Sequence, residues 1–304
     1  MIYYVCKYTP VELFRGFGEE CSVLEEMPEN FEQSDQIAHA NLCGFGKSVI
    51  QAVLEGKVEQ LVLVNCCDSM RRVYDIVEST GKCKFLYMLD LPHDDNECEK
   101  VKFAGTIRRL KKAYEAYSGK VFDKRAFIKS FITPEMNTEP YSGILEDMIR
   151  DNIQMDVENL TCTGGRKLSV VQDEMWNMEK EELFLSYADV LLGQMPCFRM
   201  NRSIRRNRLY LDPNLKGIIY HTIKFCDYYG FEYASIKRDI KVPLLKIETD
   251  FTSQSAGQLL TRIQAFEETI EGSEDMDPGK GISEEARKKM ESGIFYVAGI
   301  DSGS

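Results

Sequence analysis

The chain has 304 residues, 43% of them apolar, with 38 Lys and Arg against 49 Asp and Glu for a net charge of −11. That length buries a sizeable core in two domains, and the acidic balance repels a phosphate backbone, which argues against nucleic acid as a partner. No apolar run reaches the roughly 18 residues of a membrane span, and Ile2 to Tyr8, broken by Lys7 and Pro10, is too short for a signal peptide, so a cytoplasmic protein is expected.

Ile2 to Tyr8 reads as the first strand, and Val49, Ile50, Val53 and Leu54 form the apolar face of a helix after it. The aliphatic run Leu61 to Val64 reads as a buried parallel strand, and Phe85 to Leu91 as another. A charged helix follows near Thr106 to Tyr117, with Ile107, Leu110 and Tyr114 on one side and Gly119 as its stop. The second half repeats the rhythm. Strands are expected at Phe127 to Ile132 and Ile153 to Val157, then a helix lined by Leu183, Tyr187, Val190 and Leu191. Further strands are expected at Gly217 to Tyr220 and Val242 to Ile247. The helix from about Ser255 to Glu271 presents Leu259, Ile263, Phe266 and Ile270 on one face. This alternation predicts two α/β modules with parallel sheets, residues 1–124 and 125–272. A Ser-, Asp-, Pro- and Gly-containing stretch from Gly272 to Gly281 opens a linker over 273–292.

Ten cysteines in a cytoplasmic chain call for an explanation other than disulfides. Cys6, Cys21 and Cys83 sit inside apolar patterns and read as small buried hydrophobes. Cys98 lies in an acidic stretch and reads as an exposed bystander. Cys43, Cys66, Cys67, Cys162, Cys197 and Cys226 differ, because each neighbours Gly, Pro, Asp or Asn at a turn, where side chains can converge on a ligand. Asn65-Cys66-Cys67-Asp68 directly follows the Leu61 to Val64 strand, the usual place for a ligand in an open α/β sheet. No C-x-x-C spacing occurs, which disfavours a zinc ribbon or a redox dithiol. Many thiols with three histidines suit an iron–sulfur cluster better than zinc or copper. Gly46-Lys47-Ser48 resembles the end of a P-loop, but Asn41 stands where its first Gly belongs, and the nucleotide reading is weak.

Six segments in order carry a family resemblance: Tyr8-Thr9-Pro10-Val11-Glu12-Leu13, Asn41-Leu42-Cys43-Gly44, Cys67-Asp68-Ser69-Met70-Arg71-Arg72, Leu89-Asp90-Leu91-Pro92-His93, Phe225-Cys226-Asp227 and Thr261-Arg262-Ile263-Gln264-Ala265-Phe266-Glu267. Together they resemble the 2-hydroxyacyl-CoA dehydratase and benzoyl-CoA reductase superfamily, in its cluster-binding D component. The resemblance implies two flavodoxin-like, Rossmann-like lobes around a metal-cluster cleft, with a [4Fe–4S] cluster held by Cys43, Cys67 and Cys226. It implies a separate ATP-hydrolysing activator that supplies one electron at low potential, and an acyl-CoA thioester that is dehydrated or reduced under anaerobic conditions. It also implies a homodimer or a pair of homologous subunits. An iron without a cysteine would act on the thioester carbonyl as Lewis acid and electron donor.

The chain departs from that pattern in carrying little insertion before Phe127 and in the extra thiols Cys66, Cys162 and Cys197. Six candidate ligands match the double-cubane branch of the superfamily, whose members reduce small molecules. A cluster-bearing electron-transfer subunit without its own turnover is the remaining alternative. His93 and His221 are candidate proton donors, and equally candidates for capping the backbone at strand ends. Arg166 and Arg199 could balance cluster charge or hold an anionic substrate. Finally, Ile294 to Val297 followed by Gly299-Ile300-Asp301-Ser302-Gly303-Ser304 looks like the first phosphate-binding turn of the actin-like ATPase fold, the fold of that activator. The expectation is that 293–304 begins a fused activator domain continuing past Ser304.

Overall fold

Among the described residues every strand pairs in parallel, so each strand must be followed by a crossover, and helices supply it. The computed structural model describes residues 1–131, 144–164, 166, 168, 172–197, 199–200, 210–253, 256–274 and 294–298. The first sheet has the order β2–β1–β3–β4, from β1 (Ile2–Tyr4), β2 (Cys21–Val23), β3 (Gln60–Val64) and β4 (Phe85–Leu89). This is the strand order of a flavodoxin-like sheet, with its topological switch point between β1 and β3. Leu61 to Val64 are fully buried, as an aliphatic strand covered on both faces must be. The helices of this lobe are α1 (Val11–Arg15), α2 (Gly44–Leu54), α3 (Asp68–Thr80) and α4 (Glu97–Ser118). Helix α4 starts well before the expected Thr106, because the Asn96 side chain accepts the Glu99 N–H at 3.1 Å and caps it there. It ends as expected at Gly119, whose φ of 67° only glycine adopts without strain.

The second sheet has the order β5–β8–β6–β7, from β5 (Asp156–Asn159), β6 (Leu215–Ile223), β7 (Leu244–Thr249) and β8 (Ile294–Ala298). Its helices are α5 (Lys124–Lys129), α6 (Ile144–Asn152), α7 (Gln172–Asn177), α8 (Lys180–Leu192), α9 (Asp227–Asp239) and α10 (Ala256–Glu274). The place that β1 takes in the first sheet is taken in the second by β8, flanked by β5 and β6. Residues 275–293, most of the expected linker, and 299–304, with the Gly-Ile-Asp-Ser-Gly-Ser turn, lie outside the described residues.

Two expectations are corrected, and one strand was not foreseen. Phe127 to Ile132 is not a strand up to its described end at Phe131: Lys124–Lys129 is helical. The Asp123 side chain accepts the Arg125 N–H and starts the helix, and Phe127, Ile128 and Phe131 bury at helical spacing. The apolar run was too short for periodicity to separate helix from strand. Ile153 belongs to the end of α6, where its N–H bonds the Ile149 carbonyl, and the strand begins only at Asp156. Finally β2, with three residues, gave no alternation to detect.

One hydrophobic core runs from Ile2 to Phe251 through both lobes, so they form a joint interior rather than two separate ones. A second cluster lies on the second sheet beneath α6 and α10. There Leu259, Ile263, Phe266 and Ile270 are buried, as the helical spacing requires.

Candidate metal centre

Parallel strands place ligand-binding loops at their carboxyl ends, and the switch point between β1 and β3 opens a crevice there. Cys6 and Tyr8 follow β1, and Cys66 and Cys67 follow β3. From the second sheet, Cys162 follows β5 and Cys226 follows β6. Cys43, Cys67 and Cys226 share one local geometry: each is the N-cap of a helix, of α2, α3 and α9 respectively. Cys43 Sγ accepts the Gly46 N–H at 3.4 Å and Cys67 Sγ accepts the Met70 N–H at 3.2 Å. Helix N-termini present unpaired N–H groups and favour negative charge, whether of thiolate or of an anionic cluster.

The lobes meet at these helix starts. Phe45 of α2 packs edge-to-face on Phe251, just after β7, with centroids 5.4 Å apart. A Cβ on Gly44 would lie 1.9 Å from the Asp250 carbonyl oxygen, so α2 touches the β7 loop backbone to backbone. Phe225, immediately before Cys226, has φ of 67°, a conformation that costs a non-glycine residue energy and sets the start of α9.

The thiols gather more widely than the sequence indicated. Cys66 and Cys67 sulfurs are 3.9 Å apart. Cys6 is buried in the core, as its apolar surroundings indicated, and its thiol, pushed far up by burial, also feels Cys66, Cys197 and Arg199. Cys162 Sγ lies 3.9 Å from the Tyr229 hydroxyl. By contrast burial pushes Cys21 up to about 12 and Cys83 to about 11, both partly buried where full burial was expected, and Cys98 is exposed, as expected. No group of three His, Cys, Asp or Glu among the described residues is arranged for a single metal ion. A multi-iron cluster holds its thiolates farther apart than a single ion does.

Orphaned polar atoms mark the same place. Tyr8 Oη, Thr9 Oγ1, Gln194 Oε1 and Arg199 Nε are buried without a hydrogen-bond partner, all on the segments that carry Cys6 and Cys197. Buried groups are normally satisfied, so a polar occupant fits here. Arg199, 4% exposed, donates to the carbonyls of Leu91 at 2.5 Å and Pro92 at 2.7 Å, and forms no ion pair with a carboxylate among the described residues. Its uncompensated charge beside thiols suits an anionic group. Arg166 does something else. It donates to both Glu12 oxygens at 2.9 Å and to the Lys7 carbonyl at 3.0 Å, with Tyr187 also donating to Glu12. Lys47, from the P-loop-like segment, pairs with Asp35 at 2.8 Å inside a helical turn and cradles nothing.

His93 is at the rim. Its Nδ1 is 3.5 Å from the Arg199 carbonyl and its Nε2 3.4 Å from Arg199 Nη2. It lines an open cavity of about 560 Å³ with Asn65, Arg71, Asp90, Lys102 and Phe103. His221 lies inside β6, 2% exposed, with Nε2 2.8 Å from Thr249 Oγ1. Burial pulls its pKa down to about 4, so the ring is neutral near pH 7. Between pH 6.5 and about 4 the unfolded chain binds a proton that the folded chain refuses, so stability falls as pH falls, by up to about 3 kcal/mol from this residue. His221→Gln is expected to flatten that part of the urea-midpoint profile relative to wild type; parallel profiles would refute it. Sequence reasoning passed over Glu25, hidden in an acidic pair. Burial pushes its carboxyl up to about 8 against a Thr163 hydrogen bond, with Glu146 adding to the rise, which places a protonated acid beside the Cys162 loop.

Comparison with known proteins accords with this layout. The profile of the 2-hydroxyglutaryl-CoA dehydratase D-component family matches residues 6–135 and again 136–270. A segment of 57 residues, 18% of the chain, is 40% identical to the (R)-phenyllactyl-CoA dehydratase beta subunit of Clostridium sporogenes, covering 15% of that protein. A segment of 142 residues, 43% of the chain, is 25% identical to YjiM of Escherichia coli (strain K12), named as a dehydratase subunit, covering 36% of it. The matched segments thus span well under two thirds of either relative. Among the described residues no helix is long and apolar enough to cross a membrane.

Proposed function

Because the chain belongs to the 2-hydroxyglutaryl-CoA dehydratase D-component family, we propose that it is the iron–sulfur component of a 2-hydroxyacyl-CoA dehydratase-type enzyme. The observation that carries the reading is that Cys43, Cys67 and Cys226 each cap a helix at the carboxyl end of a parallel sheet. These three thiols would hold a [4Fe–4S] cluster. When bound, the cluster would supply a low-potential electron, received from an ATP-hydrolysing activator, and a Lewis-acidic iron for an acyl-CoA thioester.

The chain's own residues set the surroundings. The joint core on both sides excludes water from the cleft, which strengthens every charge interaction inside it. Arg199 offsets negative charge, held in place by two backbone carbonyls. His93, which lines the cavity, would exchange a proton with a hydroxyl leaving the substrate. His221, neutral and bonded to Thr249, supports the β6–β7 pair and is at most a proton acceptor.

Anaerobic reconstitution followed by iron and sulfide analysis tests the reading. About four irons per chain are expected, and Cys67→Ala and Cys226→Ala should lose most of them. Fewer than about three irons in wild type, or full retention in both variants, would sink it. A second reading is favoured by one observation: Cys6, Cys66 and Cys197 lie within electrostatic reach of one another. More thiols would then hold a double cubane that reduces small molecules, and about eight irons per chain would be found. Spectral change of the reduced cluster on adding an acyl-CoA separates an enzyme from an electron-transfer subunit, which would show none.

A further inference from the structure

We propose that the Tyr8 hydroxyl donates a hydrogen bond to a sulfur of the cluster in this cleft and thereby raises the cluster's reduction potential. This rests on the cluster reading above and gives a role to a side chain outside the thiol set. Tyr8 is fully buried, and its Oη has no hydrogen-bond partner. The ring cannot easily turn elsewhere, because its loop is pinned from the second lobe. Lys7 N–H bonds the Cys162 carbonyl at 2.8 Å, Arg166 Nε holds the Lys7 carbonyl at 3.0 Å, and Thr9 N–H closes a turn on the Cys6 carbonyl at 2.9 Å.

A dry phenol O–H without an acceptor is unfavourable, so its retention at the centre of a core points to an acceptor that the bare chain lacks. The groups acting on the hydroxyl are Cys197, through its thiol and its backbone N–H, Cys6 and Cys162, and an N–H offers the phenol proton no acceptor. A neutral thiol is a weak acceptor. A cluster sulfide or bound thiolate carries negative charge and accepts far better. One-electron reduction adds negative charge to the cluster, and a donor aimed at its sulfur stabilises the reduced form more than the oxidised one. The potential therefore rises.

Tyr8→Phe keeps the ring and removes the donor. Wild type and variant, reconstituted anaerobically with iron and sulfide, are titrated with a low-potential reductant and followed by electron paramagnetic resonance. The variant is expected to load fully and to show about a tenfold lower reduced-to-oxidised ratio at a fixed potential, a shift of 59 mV to the negative side for one electron. In deuterated buffer the reduced wild-type cluster should couple to an exchangeable deuteron that the variant lacks. Without cluster, the variant should melt no lower than wild type, since an orphaned hydroxyl has been removed. Equal midpoint potentials in two fully loaded proteins overturn this proposal and leave the cluster reading standing. A wild type that binds no iron overturns both. If the variant loads poorly, the clusters it does hold decide: a deuteron coupling present in wild type beyond those of the Gly46 and Met70 amides and absent from the variant upholds the bond, and identical couplings overturn it.

Discussion

Glu12→Ala is expected to cost the folded chain about 3–5 kcal/mol, the largest loss from a single polar side chain outside the thiol cleft. Glu12, on α1 of the first lobe, is 1% exposed and receives both Arg166 Nη groups at 2.9 Å as well as the Tyr187 hydroxyl. Both partners come from the second lobe. Taking the carboxylate away leaves a buried guanidinium with the Lys7 carbonyl at 3.0 Å and the Tyr187 hydroxyl, and no carboxylate against it among the described residues. The penalty is desolvation, not merely a lost contact. Glu12→Met with Arg166→Met should therefore recover much of the loss, since two apolar side chains of similar volume leave no orphaned charge. Urea unfolding of the single and double variants measures this directly. A double variant as unstable as Glu12→Ala would show that the packing of α1, and not the charge, dominates. The same clasp fixes the loop that carries Cys6 and Tyr8, so Glu12→Ala should also weaken iron uptake.

Gly44→Ala is expected to abolish stable iron binding while leaving every cysteine in place. The added Cβ would meet the Asp250 carbonyl oxygen at 1.9 Å and its carbon at 2.7 Å, both backbone atoms that no rotamer change can move. Either α2 or the loop after β7 must withdraw, and Cys43, the cap of α2, moves with it. Overpacking of this kind costs about 1–3 kcal/mol in stability. Its effect on a site shared between lobes is larger, because ligands must hold their geometry closely. Gly46→Ala is the control. Its Cβ would meet a Val73 methyl at 3.1 Å, which a small side-chain shift relieves, and would reach only ordinary contact with Cys43 Sγ at 3.5 Å, so iron content should stay near wild type. Equal iron in both variants would mean that the contact of α2 with the β7 loop does not position the site.

Much of this protein was legible in its residues. Leu61 to Val64 announced an interior parallel strand because only a strand covered on both faces can be aliphatic throughout. Leu259, Ile263, Phe266 and Ile270 gave the buried face of α10, since helical spacing is a local property. Cys43, Cys67 and Cys226 could be read as turn residues from their Gly, Asp and Asn neighbours, and each caps a helix, because turn chemistry is local too. The ordered motifs gave the family. What they could not give depends on residues far apart in the chain. Phe127 and Ile128 joined a helix rather than a strand because the Asp123 cap and the core at that site decided between two readings of one short apolar run. Cys6 and Tyr8 looked like ordinary core until the parallel sheet placed the ends of β1 and β3 side by side and brought Cys66 and Cys197 to them. Arg166 and Arg199 were alike as sequence; a carboxylate from another lobe neutralised the first, and none among the described residues reaches the second. Local pattern thus fixes which elements form and which thiols lie at turns, whereas the charge, orphaned donors and common position of the site arise only when crossover topology packs both lobes on one core.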